Sequence, residues 1–157
     1  MKTIKAKMTA TRHHDFCAGH RVVGHENKCK HLHGHNYRVH FTCEAEQLDS
    51  VGRVIDFGVI KEKLCTWLDD NYDHKFLVWE KDDAVKALYN GGEIHAVPAN
   101  LLDMSIVWLD FNPTAENIAK HLVEYVGPVM LKGTGVTLIK VVVEETAKCS
   151  ATYELIK

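Results

Sequence analysis

Two stretches of alternating polarity, TIKAKMTATR (3–12) and NYRVHFTCEAEQ (36–47), flank a histidine-rich segment, and this arrangement constrains the fold more than any other feature. Alternation is the signature of a half-buried strand, because successive side chains point to opposite faces. The first strand is expected to continue to about Phe16. The second sets Tyr37, Val39, Phe41 and Cys43 on one face. Between them, Arg21–Leu32 has no period and holds Gly24, Asn27 and several charges, so it reads as a loop. If that loop simply returns, the two strands pair antiparallel. Five of the eleven histidines (His20, His25, His31, His33 and His35) lie in this region.

Helical signals follow. Asp56 reads as an N-cap, and Phe57, Ile60, Leu64 and Trp67/Leu68 recur at three- and four-residue steps, one face of a helix ending near Asn71. Thr114, just after Pro113, opens a second helix carrying Ile118, Leu122 and Val126, which Gly127-Pro128 is expected to stop. A full capping box is missing there, because its third helical position holds Asn117. VTLIKVVVEE (136–145) and ATYELI (151–156) read as two more strands. Residues 78–108 form an excursion between the helices, with a short helix expected around Asp83–Tyr89 and a short strand within 104–111. The order is strand, strand, helix, excursion, helix, strand, strand. This is an α+β layout, with helices stacked on one face of an antiparallel sheet.

A chain of 157 residues suits a single domain spanning 1–157. A net charge of -2 gives no basic footprint for nucleic acid. No apolar run approaches the roughly 20 residues of a membrane span, and the polar start is not a secretory signal. These features point to the cytoplasm, with neither nucleic acid nor membrane as a partner. Five cysteines without a secretion signal argue for reduced thiols. Cys17, Cys43, Cys65 and Cys149 lie on or beside expected strands or a helix, where cysteine is usually a small buried hydrophobe.

The chemistry concentrates at His20 and at His33-Gly34-His35. On an extended backbone, residues i and i+2 point to the same side. An antiparallel partner strand ending in FCAGH would bring His20 beside them. Three imidazoles with one position left open is a catalytic zinc arrangement, although copper or nickel would accept the same donors. Cys29, with Lys30, His31 and Leu32 separating it from His33, has two readings. It is the fourth ligand of a closed structural site, or a thiol acting as acid and base beside an open one. Asp73-His74 after the first helix is either a polar turn or a catalytic pair that the fold must carry to the metal. Glu144 and Glu145 at a strand end read as solvated residues, or as an anchor for a guanidine-like ring edge.

These motifs resemble, in order, those of the 6-pyruvoyltetrahydropterin and 6-carboxytetrahydropterin synthase family. The segments are FCAGH (16–20), CKHLHGHNY (29–37), VIDFGVIK (54–61), YDHKFL (72–77), NPTAENIA (112–119) and VVVEETAKCSATYEL (141–155). The resemblance implies a tunnelling fold: a four-stranded antiparallel sheet with two helices on one face. It also implies assembly into a homo-hexamer, a dimer of trimers with active sites between subunits. Zinc would be held by His20, His33 and His35. Cys29, Asp73 and His74 would be catalytic, and Glu145, with Thr146 assisting, would bind the pterin.

The short Cys29-to-His33 spacing is similar to that of the bacterial carboxytetrahydropterin synthases of queuosine biosynthesis. It implies a lyase that converts 7,8-dihydroneopterin triphosphate to 6-carboxytetrahydropterin, releasing acetaldehyde and triphosphate. The alternatives are elimination of triphosphate alone to the pyruvoyl product, a non-catalytic zinc-stabilised module, and aldol cleavage of dihydroneopterin. Nothing carries over onto the excursion.

Overall fold

The computed structural model describes residues 7–91 and 101–156. The expected strand positions 3–6, and residues 92–100 of the excursion, lie outside the described residues. Strand β1 spans Thr9–His20 and β2 spans His33–Ala45. They pair antiparallel without a slip, from Thr9 opposite Glu44 to His20 opposite His33. Both strands thus reach the histidine segment more closely than their alternation alone suggests. The intervening loop contains one 3₁₀ turn, Lys28–Lys30.

The remaining strands are β3 (Lys75–Trp79), β4 (Ile106–Leu109), β5 (Val136–Thr146) and β6 (Cys149–Glu154). They form one six-stranded sheet in the order β4-β3-β1-β2-β5-β6. The four expected antiparallel strands are present. Two short strands extend the sheet by parallel pairing, β3 on β1 and β4 on β3. β4 falls where a short strand was expected. β3 was not anticipated, because KFLVW is a short mixed run without alternation, and such a run carries no period to read.

Helix α1 is built from three contiguous segments, Phe57–Ile60, Lys61–Cys65 and Thr66–Asn71, the middle one π-helical. The Asp56 carboxylate accepts a hydrogen bond from the Gly58 N–H at 2.7 Å, so the expected cap is in place. Ile60, Leu64 and Leu68 are fully buried, but Phe57 is 56% exposed. The wider π turn shifts the phase of the first turn, leaving Phe57 outside the apolar stripe.

The excursion contributes α2 (Asp83–Gly91) and α3 (Leu101–Ser105). Helix α4 comprises Ala115–His121, a π-helical Leu122–Val126, and Gly127–Met130. It is capped by the Thr114 hydroxyl, which accepts from the Asn117 N–H at 3.2 Å. Contrary to the expectation that Gly127-Pro128 stops this helix, it runs on to Met130. The π segment just upstream already breaks the i→i−4 pattern, so the N–H that Pro128 lacks is not missed there. Gly127 has a packing role instead: a Cβ at this position would lie 2.8 Å from the Leu138 Cβ on β5.

α1 and α4 cover one face of the sheet. Ile60, Leu64, Leu68, Ile118 and Leu122 form the core with Val39, Phe41, Val141 and Val143. The other face is polar, with Arg38 paired to Asp15, His40 to Glu144, and the Thr11 and Thr42 hydroxyls in contact. One face packed and one solvated is what an antiparallel sheet permits. Among the described residues, no helix is long and apolar enough to cross a membrane.

The contact at Gly127 yields a prediction. Gly127→Val overpacks the α4–β5 junction and is expected to cost about 1–3 kcal/mol, seen as a lower midpoint in denaturant unfolding. An unchanged midpoint would show that the two elements separate freely.

Candidate metal centre

The β1–β2 register determines the site. With His20 opposite His33, and His35 two residues further along β2, three imidazoles share the core face at one end of the sheet. Their ligand atoms all lie within 4.8 Å of one another. Tyr37 continues the same face. Its ring packs edge-on against His20 and His35, and its buried hydroxyl has no hydrogen-bond partner among the described residues. Burial, then the nearby charges of Glu145 and Cys29, push the Tyr37 pKa upward, so the phenol stays protonated.

The imidazole tautomers follow from their outer contacts. His20 Nδ1–H donates to the Pro113 carbonyl at 2.7 Å, and His33 Nδ1–H donates to the His31 carbonyl at 2.7 Å. Each neutral ring then has a lone pair at Nε2, and these two Nε2 atoms face each other at 3.1 Å. The His35 Nε2 is buried without a hydrogen-bond partner among the described residues. Lone pairs aimed at one another in a buried site repel unless a cation lies between them. Backbone carbonyls holding the far nitrogens are the usual outer shell of ligating histidines. Burial, opposed by the Pro113 hydrogen bond and helped by the charges of His33 and His35, pushes the His20 pKa down to about 4. Metal binding requires this neutral form. The donor set therefore fits a divalent ion of the zinc type.

Glu145 reaches this centre from a strand face that also carries Val141 and Val143, at an irregular point of the ladder. The β5–β6 register shifts between Glu144 and Thr146, leaving Glu145 as the extra residue of a bulge. It continues the core face of Val141 and Val143, whereas Glu144 points to the opposite face and pairs with His40. The Glu145 carboxylate lies 3.3 Å from His20 Nε2 and 3.5 Å from His35 Nε2. Glu145 and Cys29 also line one cavity of about 300 Å³, together with Thr114, Cys149 and Ser150. Cys29 sits in the Lys28–Lys30 turn and is not a member of the three-imidazole set. Thr146 accepts a hydrogen bond from the Lys148 N–H in the β5–β6 turn, at 3.2 Å.

Asp73 and His74 are elsewhere. They lie beside Cys17, whose side chain points away from the His20 face of β1. His74 lines a cavity of about 480 Å³ that reaches Gly34 and His35 but not Cys29. The two side chains do bond to each other, His74 Nδ1–H donating to Asp73 Oδ2 at 2.7 Å. Neighbouring residues rarely achieve this. Here His74 has φ 58, and it is the one non-glycine with positive φ among the described residues. Its N–H donates to the Cys17 carbonyl at 2.7 Å, which helps hold that conformation. Burial opposes ionisation of Asp73, but hydrogen bonds from the Cys17 N–H and from His74 hold its pKa below the ordinary carboxylate value.

Sequence reasoning missed Pro113, because nothing local links a carbonyl to a histidine 93 positions earlier. It also missed Tyr37 as a site residue, although its i+2 spacing from His35 places it on the ligand face.

Fold and site together define a class, an α+β sheet covered by helices on one face with a cluster of three histidines, able to hold a metal ion, at its end. Among solved structures, this chain is similar to an uncharacterized protein from Wolinella succinogenes. The TM-score is 0.79 and the identity 26%, covering 96% of this chain and 99% of that one. It shares its fold with the 6-pyruvoyl tetrahydropterin synthase of Caenorhabditis elegans (TM-score 0.62, 24% identity, covering 96% and 97%). The chain belongs to the 6-pyruvoyl tetrahydropterin synthase family, whose sequence pattern matches residues 9–155. Among its relatives, the 6-carboxy-5,6,7,8-tetrahydropterin synthase of Rickettsia felis is 37% identical over 139 residues, 88% of this chain and 94% of that protein. The Aquifex aeolicus protein of the same name is 32% identical over 132 residues, 82% of this chain and 76% of that one.

The buried His20 makes stability depend on pH. Below about 6.5 the unfolded chain binds a proton at this position that the metal-free folded chain refuses until about 4. Stability is therefore full above 6.5 and falls as pH drops through that window, by an amount on the order of 3 kcal/mol from His20. Thermal unfolding of metal-free protein between pH 7 and 4 should show a steeper decline than in His20→Gln. Parallel curves would remove His20 as the source.

Proposed function

We propose that this chain is a 6-carboxy-5,6,7,8-tetrahydropterin synthase, a lyase that turns 7,8-dihydroneopterin triphosphate into 6-carboxytetrahydropterin with release of acetaldehyde and triphosphate. The observation that carries the chemistry is a single cavity lined by Cys29 and Glu145, with the Glu145 carboxylate against two of the three converging imidazoles, His20 and His35. The choice of product is supported by the relatives at 36–38% identity, which carry that name. Zinc on His20, His33 and His35 would act as a Lewis acid toward the side-chain hydroxyls of the substrate, acidifying the neighbouring carbons.

The other roles fall to the protein's own groups. The Glu145 carboxylate, with Thr146 beside it, accepts hydrogen bonds from the pterin amino and ring N–H groups, orienting the ring in the cavity. Cys29, as thiolate, takes and returns protons on one side of the substrate side chain. Its place outside the imidazole set supports an acid/base role over that of a fourth ligand, which disfavours a closed, non-catalytic zinc module. His74, with Nδ1–H held by Asp73, keeps Nε2 free to move a proton. Within one chain His74 and Cys29 line different cavities. Their separation supports the reading in which a neighbouring copy completes each site, in a hexamer built from two trimers. The setting would be the cytoplasm and the pathway that of 7-deazaguanine bases such as queuosine.

The pyruvoyl product is the second reading, favoured by the family's own name and by the Caenorhabditis elegans structure. Mass spectrometry of products from zinc-loaded protein and dihydroneopterin triphosphate separates the two. Carboxytetrahydropterin with acetaldehyde is expected; pyruvoyltetrahydropterin without acetaldehyde would transfer the chain to the other activity.

Two variants test the residue roles. Cys29→Ala should retain its zinc and lose about 10²–10⁴-fold in turnover, whereas His33→Ala should lose both metal and turnover. Loss of zinc from Cys29→Ala, measured by elemental analysis, would make the thiol a ligand instead of a base. For Glu145→Gln the expected outcome is weaker pterin binding in calorimetry, and an unchanged Kd would take Glu145 out of the pterin pocket.

A further inference from the structure

The turn that carries Cys29 has little to hold it. Lys28–Lys30 contains no buried residue, and no side chain caps it. Among the described residues, it is tied to the chain leaving β1 by two contacts. The Val22 N–H donates to the Cys29 carbonyl at 2.8 Å, and Arg21 Nη1 donates to the Lys30 carbonyl at 2.8 Å. The other nitrogens of that guanidinium go to one carboxylate. Arg21 Nε donates to Asp82 Oδ2 at 2.5 Å, and Nη2 donates to Oδ1 at 3.0 Å.

Asp82 lies in the segment between β3 and β4, for which the sequence suggests no role. It is only 1% exposed. Its Oδ1 accepts the Val85 N–H at 3.2 Å and its carbonyl accepts the Lys86 N–H at 3.0 Å, so it caps the start of α2. A buried carboxylate has no water to turn to, and a planar guanidinium engaged at both its oxygens has one orientation. The third arm of Arg21 therefore meets the Lys30 carbonyl at a position set by α2, not by solvent.

We propose that Arg21 and Asp82 form a positioning pair that holds the Cys29 turn against the metal centre, with helix α2 as its anchor. Neither residue touches substrate; both act through the thiol. The proposal rests on Cys29 being the acid/base group proposed above. A pair of this kind matters because a thiol must meet its carbon within a fraction of an ångström, and a displacement of about 1 Å costs on the order of 10²-fold in rate.

The test uses the zinc-loaded full chain with Arg21→Lys and Asp82→Asn. Lysine keeps the charge near Asp82 but cannot span both Asp82 and the Lys30 carbonyl. It frees the turn while sparing the α2 cap, and it serves if Asp82→Asn folds poorly. In each variant Cys29 alkylation by iodoacetamide, resolved by peptide mass spectrometry, is expected to quicken about tenfold as the turn loosens. kcat should fall about 10–100-fold with KM and zinc content little changed. Alkylation of Cys29 within about twofold of the parent in both variants overturns the pair as a positioning device. Faster alkylation with undiminished kcat upholds the positioning but removes Cys29 from the chemistry, so the two ideas fail separately.

Discussion

The unbroken antiparallel register between β1 and β2 is the constraint on which the site depends. It sets His20 opposite His33 at the loop end of the hairpin. Because side chains alternate, His20, His33, His35 and Tyr37 all emerge on the face covered by the helices. A one-residue slip would send His33 and His35 to the polar face, away from His20. Extensive burial of Val39, Phe41 and Cys43 further along β2 opposes that slip, so core packing stabilises the metal centre from a distance.

The centre is also tied to the second helix. The Pro113 carbonyl that orients His20 directly precedes the Thr114 cap of α4. Asn112 bonds both backbone groups of Val23, joining the same corner to the chain that leads to Cys29. The segments around the cavity are thus joined by side-chain-to-backbone hydrogen bonds from His20 and Asn112. Backbone carbonyls behind His20 and His33 are an outer shell that suits a bound cation.

Charge is distributed with a similar logic. Glu144 and Glu145 are adjacent, yet one pairs with His40 on the polar face and the other meets the imidazoles. The bulge between Glu144 and Thr146 releases Glu145 from the ladder with β6 at that point. Asp73 and His74 show a related economy at the start of β3, where a left-handed backbone turns two successive side chains toward each other.

Much of this was legible in the residues themselves. The alternation of β1 and β2, the caps at Asp56 and Thr114, and the His-Gly-His spacing rest on periods of two and on local hydrogen bonding, which a sequence displays directly. The sequence by itself determined the grouping of His20, His33 and His35, the four antiparallel strands and the two principal helices. Tertiary structure decided the rest: the added strands β3 and β4, the run of α4 through Pro128, and the exposure of Phe57. It also decided which groups stand behind the ligands, since Pro113 meets His20 and Asp82 meets Arg21 across 93 and 61 positions. The physical reason is range. Propensity and capping act within a few residues, whereas contacts such as these exist only after the sheet and helices have closed the chain on itself.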